Sequence, residues 1–189
     1  MQSETAGRST GIFSTRRDSA IQMQVSTVFM GVAGCGKSSL AAAVAAAEAA
    51  PLVEGDDFHG PANRDKMSRG IALTDADRDD WLAALAAQLR DAPQGIVLTC
   101  SALKRSYRER LRSAAPGLRF VFLDIDRDAA LARVAGRNAH FFSASLVDSQ
   151  FATLESPIGE PGVLRVDATE APAQLQAEVS AWLHDSGAA

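Results

Sequence analysis

Five short apolar runs punctuate the chain, at residues 25–30, 52–54, 96–100, 120–125 and 163–166, and each reads as a buried strand. Between them lie segments with helical character. Residues 38–50 are almost all strong helix formers and should stop before Pro51, which cannot continue a helix. Residues 61–68 form a short helix inside a polar, turn-rich stretch. Residues 77–90 carry an apolar stripe of Trp81, Leu82, Leu85 and Leu89, after a charged start at Asp75, Asp77, Arg78, Asp79 and Asp80 that suits a first helical turn. The stretch SALKRSYRERLRSA reads as a basic helix. Residues 128–136 read as another, followed by an excursion bearing arginine and aromatic residues, RNAHFFSASLVDSQF. Residues 172–184 close the chain with Leu175, Val179 and Leu183 at i, i+4 and i+8. Strands alternating with helices predict an α/β fold in three layers, a five-stranded parallel sheet flanked by helices, with ligands at the carboxyl edge of the strands.

Composition narrows the class. The 189 residues suit one domain, and residues 1–22 mix Ser, Thr, Gly and Arg without either hydrophobic period, so a disordered tail is expected before a domain at 23–187. At 47% hydrophobic and 22% charged, with no apolar run near the roughly 18 residues of a membrane span, the chain reads as a cytoplasmic protein without a membrane partner. A net charge of −4 weighs against nucleic acid but leaves room for a small anionic substrate at a local basic site. Two cysteines, Cys35 and Cys100, make neither a disulfide framework nor a metal set. Nothing in the sequence fixes the oligomeric state, and a homodimer stays open.

The most specific local signal is GVAGCGKS at residues 31–38, which satisfies G-x-x-x-x-G-K-[ST] between an expected strand and an expected helix. Main-chain amides of such a loop turn inward on an anion, and the helix that follows adds its free N–H groups and the positive end of its dipole. Gly31, Val32, Ala33, Gly34, Cys35, Gly36, Lys37, Ser38 and Ser39 are therefore the expected ATP site. Lys37 would reach the β- and γ-phosphates and Ser38 would ligate Mg²⁺.

Other candidates follow from placement. The chain returns from the first helix along the second strand, which brings Asp56 to the edge that holds the phosphates, where it would orient or deprotonate an acceptor or serve the metal. Glu54 shares its strand face and could hold a metal-bound water. His59 is balanced between a substrate contact and a loop cap, and Lys66 and Arg69 sit in a polar cover. Lys104 and Arg108, four apart near a strand's carboxyl end, favour anion binding. Arg133 and Arg137 share that spacing and would close over the nucleotide, with an outer charged face as the alternative. Phe141 and Phe142 read as core.

Together, GVAGCGKSSL, EGDDFHGPANRDKMSRGIALTDADRDDWL, TCSALKRSYRERLR and GRNAHFFSASLVDSQFATLESP resemble the gluconokinases, in the shikimate- and adenylate-kinase-like branch of P-loop kinases. The resemblance implies a P-loop kinase fold with a small helical substrate cover and an arginine-bearing lid. It also implies ATP-dependent phosphorylation of D-gluconate at its 6-hydroxyl. On that resemblance Asp56 acts on the 6-hydroxyl, and His59, Asn63, Lys66 and Met67 belong to the substrate cover. Lys104, Tyr107 and Arg108 lie in a basic helix, and Arg133, Arg137 and His140 in the lid. Ala33, Glu54 and Asp80 depart from the serine, aspartate and proline common in the family. Two rivals remain at this point. One is another small-molecule kinase of the branch, acting on shikimate or a nucleoside monophosphate; the other is a nucleotide-switched binding protein, for which the N-K-x-D and D-x-x-G motifs are missing.

Overall fold

The computed structural model describes residues 25–136 and 144–185. The expected tail at 1–22 lies outside the described residues, as do Arg137, His140, Phe141 and Phe142.

Five strands form: β1 (Thr27–Met30), β2 (Leu52–Glu54), β3 (Val97–Thr99), β4 (Arg119–Asp124) and β5 (Val163–Asp167). All pair in parallel, in the order β2-β3-β1-β4-β5. The chain thus starts in the middle of the sheet, fills one side, and then crosses to the other. That reversal on either side of β1 opens a crevice at the strands' carboxyl ends.

Seven helices flank the sheet among the described residues: α1 (Lys37–Ala47), α2 (Pro61–Ser68), α3 (Asp75–Arg90), α4 (Arg105–Arg112), α5 (Arg127–Ala135), α6 (Ala144–Thr153) and α7 (Pro172–His184). Alternation along the strands divides the core in two. Phe29, Val121 and Leu123 face the side covered by Leu40 and Val44 of α1, Ala130 of α5, Val147 of α6, and Leu175 and Val179 of α7. Val28, Met30, Phe120 and Phe122 face Trp81, Leu82, Leu85 and Leu89 of α3 and Leu111 of α4. Every residue of β1 is buried because both faces are covered, which is why it reads as an unbroken apolar run. Each such fully buried aliphatic or aromatic side chain contributes about 1.5–3 kcal/mol relative to exposure. Cys100 belongs to this packing, and burial pushes its thiol up to about 12, so it fills space rather than reacts.

The strands and helices follow the hydrophobic pattern, with three informative differences. α3 begins at Asp75 rather than 77, because Thr74 caps it: the Asp77 N–H donates to the Thr74 hydroxyl at 3.2 Å while the Thr74 N–H donates to the Asp77 carboxylate at 2.8 Å. β4 takes in Arg119, which apolarity alone would leave out. Its guanidinium donates to the carbonyls of Trp182, Leu183 and Asp185 at the end of α7, where unpaired carbonyls favour a cation. Finally, much of the expected excursion after residue 136 is the helix α6, whose only buried residues are Leu146 and Val147. Two buried positions in ten residues make too faint a stripe to announce a helix.

Candidate active site

The phosphate loop runs from the end of β1 to the start of α1. Gly34 has φ +85°, and a Cβ there would stand 2.6 Å from the Ala130 carbonyl oxygen, so glycine is what lets the loop lie against α5. Gly36 is the N-cap of α1 and supplies no side-chain acceptor, and no acidic residue stands in the first turn. The first N–H groups of α1 therefore face outward with the dipole behind them, a ready anion cradle. The Lys37 ammonium lies along the same loop, donating to the carbonyls of Gly31 and Val32 at 3.0 Å each. Val32 and Cys35 are buried beneath it. Arg133 of α5 braces the loop by donating to the Cys35 carbonyl at 3.3 Å and to the Ala168 carbonyl at 2.7 Å.

Across from the loop, the end of β2 is held by a relay of short polar contacts. Ser38 donates to the Glu54 carboxylate at 3.0 Å, and the Thr99 hydroxyl donates to the same oxygen at 2.6 Å. Thr99 in turn accepts the Gly55 N–H at 3.1 Å, while the Trp81 indole N–H donates to the Gly55 carbonyl at 2.7 Å. A Cβ on Gly55 would collide with the Thr99 carbonyl oxygen, so this approach requires glycine. With the Gly55 peptide clamped on both sides, the next residue, Asp56, has a fixed backbone and a carboxylate that is mostly exposed. His59 stacks on Trp81 with ring centroids 4.4 Å apart, and its Nε2 lies 4.0 Å from Asp56 Oδ1. Its side chain is buried and Nδ1 has no partner. Burial first, and then the charges of Arg78 and Arg64, depress the imidazole's pKa against the opposing pull of Asp56. His59 is consequently a neutral hydrogen-bonding group near pH 7.

Both walls open on one cleft of about 550 Å³, a size suited to a small-molecule site. Ala33, Gly34, Gly36, Lys37, Ser38 and Ser39 line the phosphate side, and Asp56, His59, Met67 and Arg78 line the other. An anion cradle, a lysine, and a carboxylate across the cleft from them are the parts that phosphoryl transfer requires. Hard oxygen donors at Ser38 and Glu54 fit Mg²⁺, which is usually held by one or two protein oxygens together with substrate phosphates and waters.

Residues 27–157 match a family model described as an AAA domain. The gluconokinase of Gluconobacter oxydans is 47% identical over 148 residues, covering 77% of this chain and 83% of that protein. The thermosensitive gluconokinase of Escherichia coli is 40% identical over 150 residues, covering 75% and 78%. The chain belongs to the gluconokinase family. A crystal structure of a gluconokinase from Sinorhizobium meliloti, 45% identical, superposes with a TM-score of 0.80 over 86% of this chain and 93% of that one. The three-layer P-loop kinase fold, with its ATP-binding loop, is shared with that gluconokinase.

Several residues expected at the gluconokinase substrate are instead engaged with the protein. Arg108 is fully buried: it donates to Glu160 at 3.0 and 3.2 Å and to the carbonyls of Ala102 and Leu103, so it ties α4 to the loop before β5. Lys104 is the residue before α4 and grips both oxygens of Asp75 at 2.8 and 2.7 Å. That bond, with a second from the Tyr107 hydroxyl, holds the Asp75 carboxyl below its usual range. Asn63 donates to the Asp77 carbonyl and Lys66 to the Asp77 carboxylate, each at 2.6 Å, which seats α2 on α3. None of these four lines the cleft. Gly31, Val32 and Cys35 shape the phosphate loop without lining it, and Arg133 braces it. Asp56, expected to share the metal with Ser38, has no bond to Ser38; the carboxylate there is Glu54. His140 and Arg137 lie outside the described residues.

Arg78, Ser101, Ser149 and Gln150 line the cleft without having been singled out from the sequence. For Arg78 a signal existed, because it precedes Trp81 by three residues and so shares its helix face.

Proposed function

We propose that the chain transfers the γ-phosphoryl group of ATP to the 6-hydroxyl of D-gluconate, giving 6-phospho-D-gluconate and ADP. The observation that carries this reading is the clamped Gly55 peptide, which presents Asp56 to the cleft opposite Lys37 and Ser38. Asp56 orients the 6-hydroxyl and takes its proton, a contribution of about 10²–10⁴-fold for a positioned base. Lys37 exchanges the loop carbonyls for phosphate oxygens, to which a cation bonds more strongly than to a neutral carbonyl. Ser38, with Glu54 in support, would hold Mg²⁺, which when bound would supply positive charge beside the phosphates.

The other end of gluconate is a carboxylate, and it needs a cation. Among the described residues that line the cleft the cations are Lys37 and Arg78. Arg78, on the acceptor side, is therefore the carboxylate's partner, a pairing its planar fork suits. His59, neutral and stacked on Trp81, backs Asp56 on the acceptor side of the cleft. The test is a panel: ADP production with gluconate, shikimate or AMP as acceptor. Turnover is expected with gluconate alone, and turnover restricted to shikimate or AMP would overturn the assignment.

A further inference from the structure

On the wall between the phosphate loop and the acceptor side stands Gln150, a residue of α6. Its side-chain oxygen accepts the Ala33 N–H at 2.6 Å, a bond that spans 117 positions of sequence. The orientation of the carboxamide is fixed by chemistry: a main-chain N–H only donates, so the atom facing it is the oxygen, and the NH₂ group lies on the other side. Gln150 lines the cleft, and among the described residues nothing pairs with its Nε2.

The rest of α6 holds this side chain in place. Leu146 and Val147, four and three residues earlier, are buried, so Gln150 extends the face that packs inward. Asp148 on the same helix pairs with Arg127 at the start of α5, 2.8 Å from its Nε. A pre-positioned neutral donor with two N–H bonds, next to the loop that carries phosphates, is suited to an anion whose charge grows during transfer.

We propose that Gln150 is a further residue of the phosphoryl-transfer site, fixing the Ala33 amide with its oxygen and donating from Nε2 to the transferring phosphoryl group. The inference rests on the kinase reading above. No covalent bond forms or breaks at Gln150 itself.

Two variants separate the oxygen from the NH₂. Gln150→Glu keeps an acceptor for Ala33 and the side chain's shape but removes both donors and sets a negative charge against the phosphates. Gln150→Ala removes everything. Measured with ATP, Mg²⁺ and gluconate, both are expected to lose about 10²–10³-fold in kcat, the range seen when one transition-state donor is removed. Gln150→Glu should keep the wild-type melting temperature, which a purely structural role would not combine with lost turnover. Wild-type kcat in Gln150→Glu would overturn the proposal, as would a change in KM for ATP with kcat unchanged in both variants. Wild-type protein without gluconate turnover would instead overturn the substrate assignment, so the two failures are distinct.

Discussion

Around the phosphate loop the chain is held by buried contacts, with Val32 and Cys35 at 2% and 1% exposure and Gly34 seated on Ala130. Across the cleft, α2 has no buried residue and is tied to α3 by Asn63 and Lys66 acting on Asp77. The first wall is mainly main chain, and its shape is set by glycine conformations and by the core beneath. The second is mainly side chains and exposed ion pairs, each worth little alone. A rigid anion cradle faces a cover that can adjust. This division suits a reaction in which the phosphates are common to many kinases and the acceptor is not.

The largest effect should come from the carboxylate that lines the cleft opposite the phosphate loop. Asp56→Asn should lower turnover by about 10²–10⁴-fold while ADP affinity stays within twofold of wild type, read by coupled ADP assay and nucleotide titration. Near-normal turnover would remove Asp56 as the proton acceptor. On the rigid wall, Gly34→Ala forces a Cβ against the Ala130 carbonyl and should reduce kcat/KM for ATP by about 10²-fold, because small displacements of aligned groups cost that much. Arg78→Ala should act on the other wall, raising KM for gluconate by about 10-fold or more, as expected for a lost charge-assisted bond, and leaving KM for ATP unchanged. If both KM values rose together, the two walls would not be separable in this way.

The smallest effect concerns how the cover is seated. A hydrogen bond from Lys66, reinforced by the Thr74 N–H and hydroxyl, lowers the Asp77 carboxyl from 3.8 to about 2. Because the folded value lies below the unfolded one, the stabilisation is complete above the unfolded pKa and is lost as the pH falls from about 4 towards 2. Urea denaturation of wild type and Asp77→Asn should therefore differ at pH 6 and converge by pH 2. Lys66→Ala should cost under about 1 kcal/mol and raise KM for gluconate only a few-fold. A large stability loss in Lys66→Ala would mean that the cover is as firmly built as the loop.

The same division explains what could be read from the sequence. The strands were legible because a short run of consecutive apolar residues is a local signal, and the loop because its glycines and Lys37 form a contiguous pattern. Asp56 was legible because parallel α/β topology returns the second strand's end to the edge of the first. The cations were not. Whether Lys66, Lys104 or Arg108 meets a ligand or a partner carboxylate is decided by Asp77, Asp75 and Glu160, which lie 11, 29 and 52 positions away. Spacing along one helix carries no information about such partners. Gln150 was hidden twice over, in a helix with a faint apolar stripe and behind a contact with the far end of the chain.

Transfer to the 6-hydroxyl is read from the product itself. Incubation with ATP, Mg²⁺ and carbon-13-labelled gluconate, followed by phosphorus and carbon NMR, should yield a single new phosphomonoester on carbon 6, with one ADP formed per product. ADP formed without a phosphorylated sugar acid, or a phosphate carried on any other carbon, would contradict it.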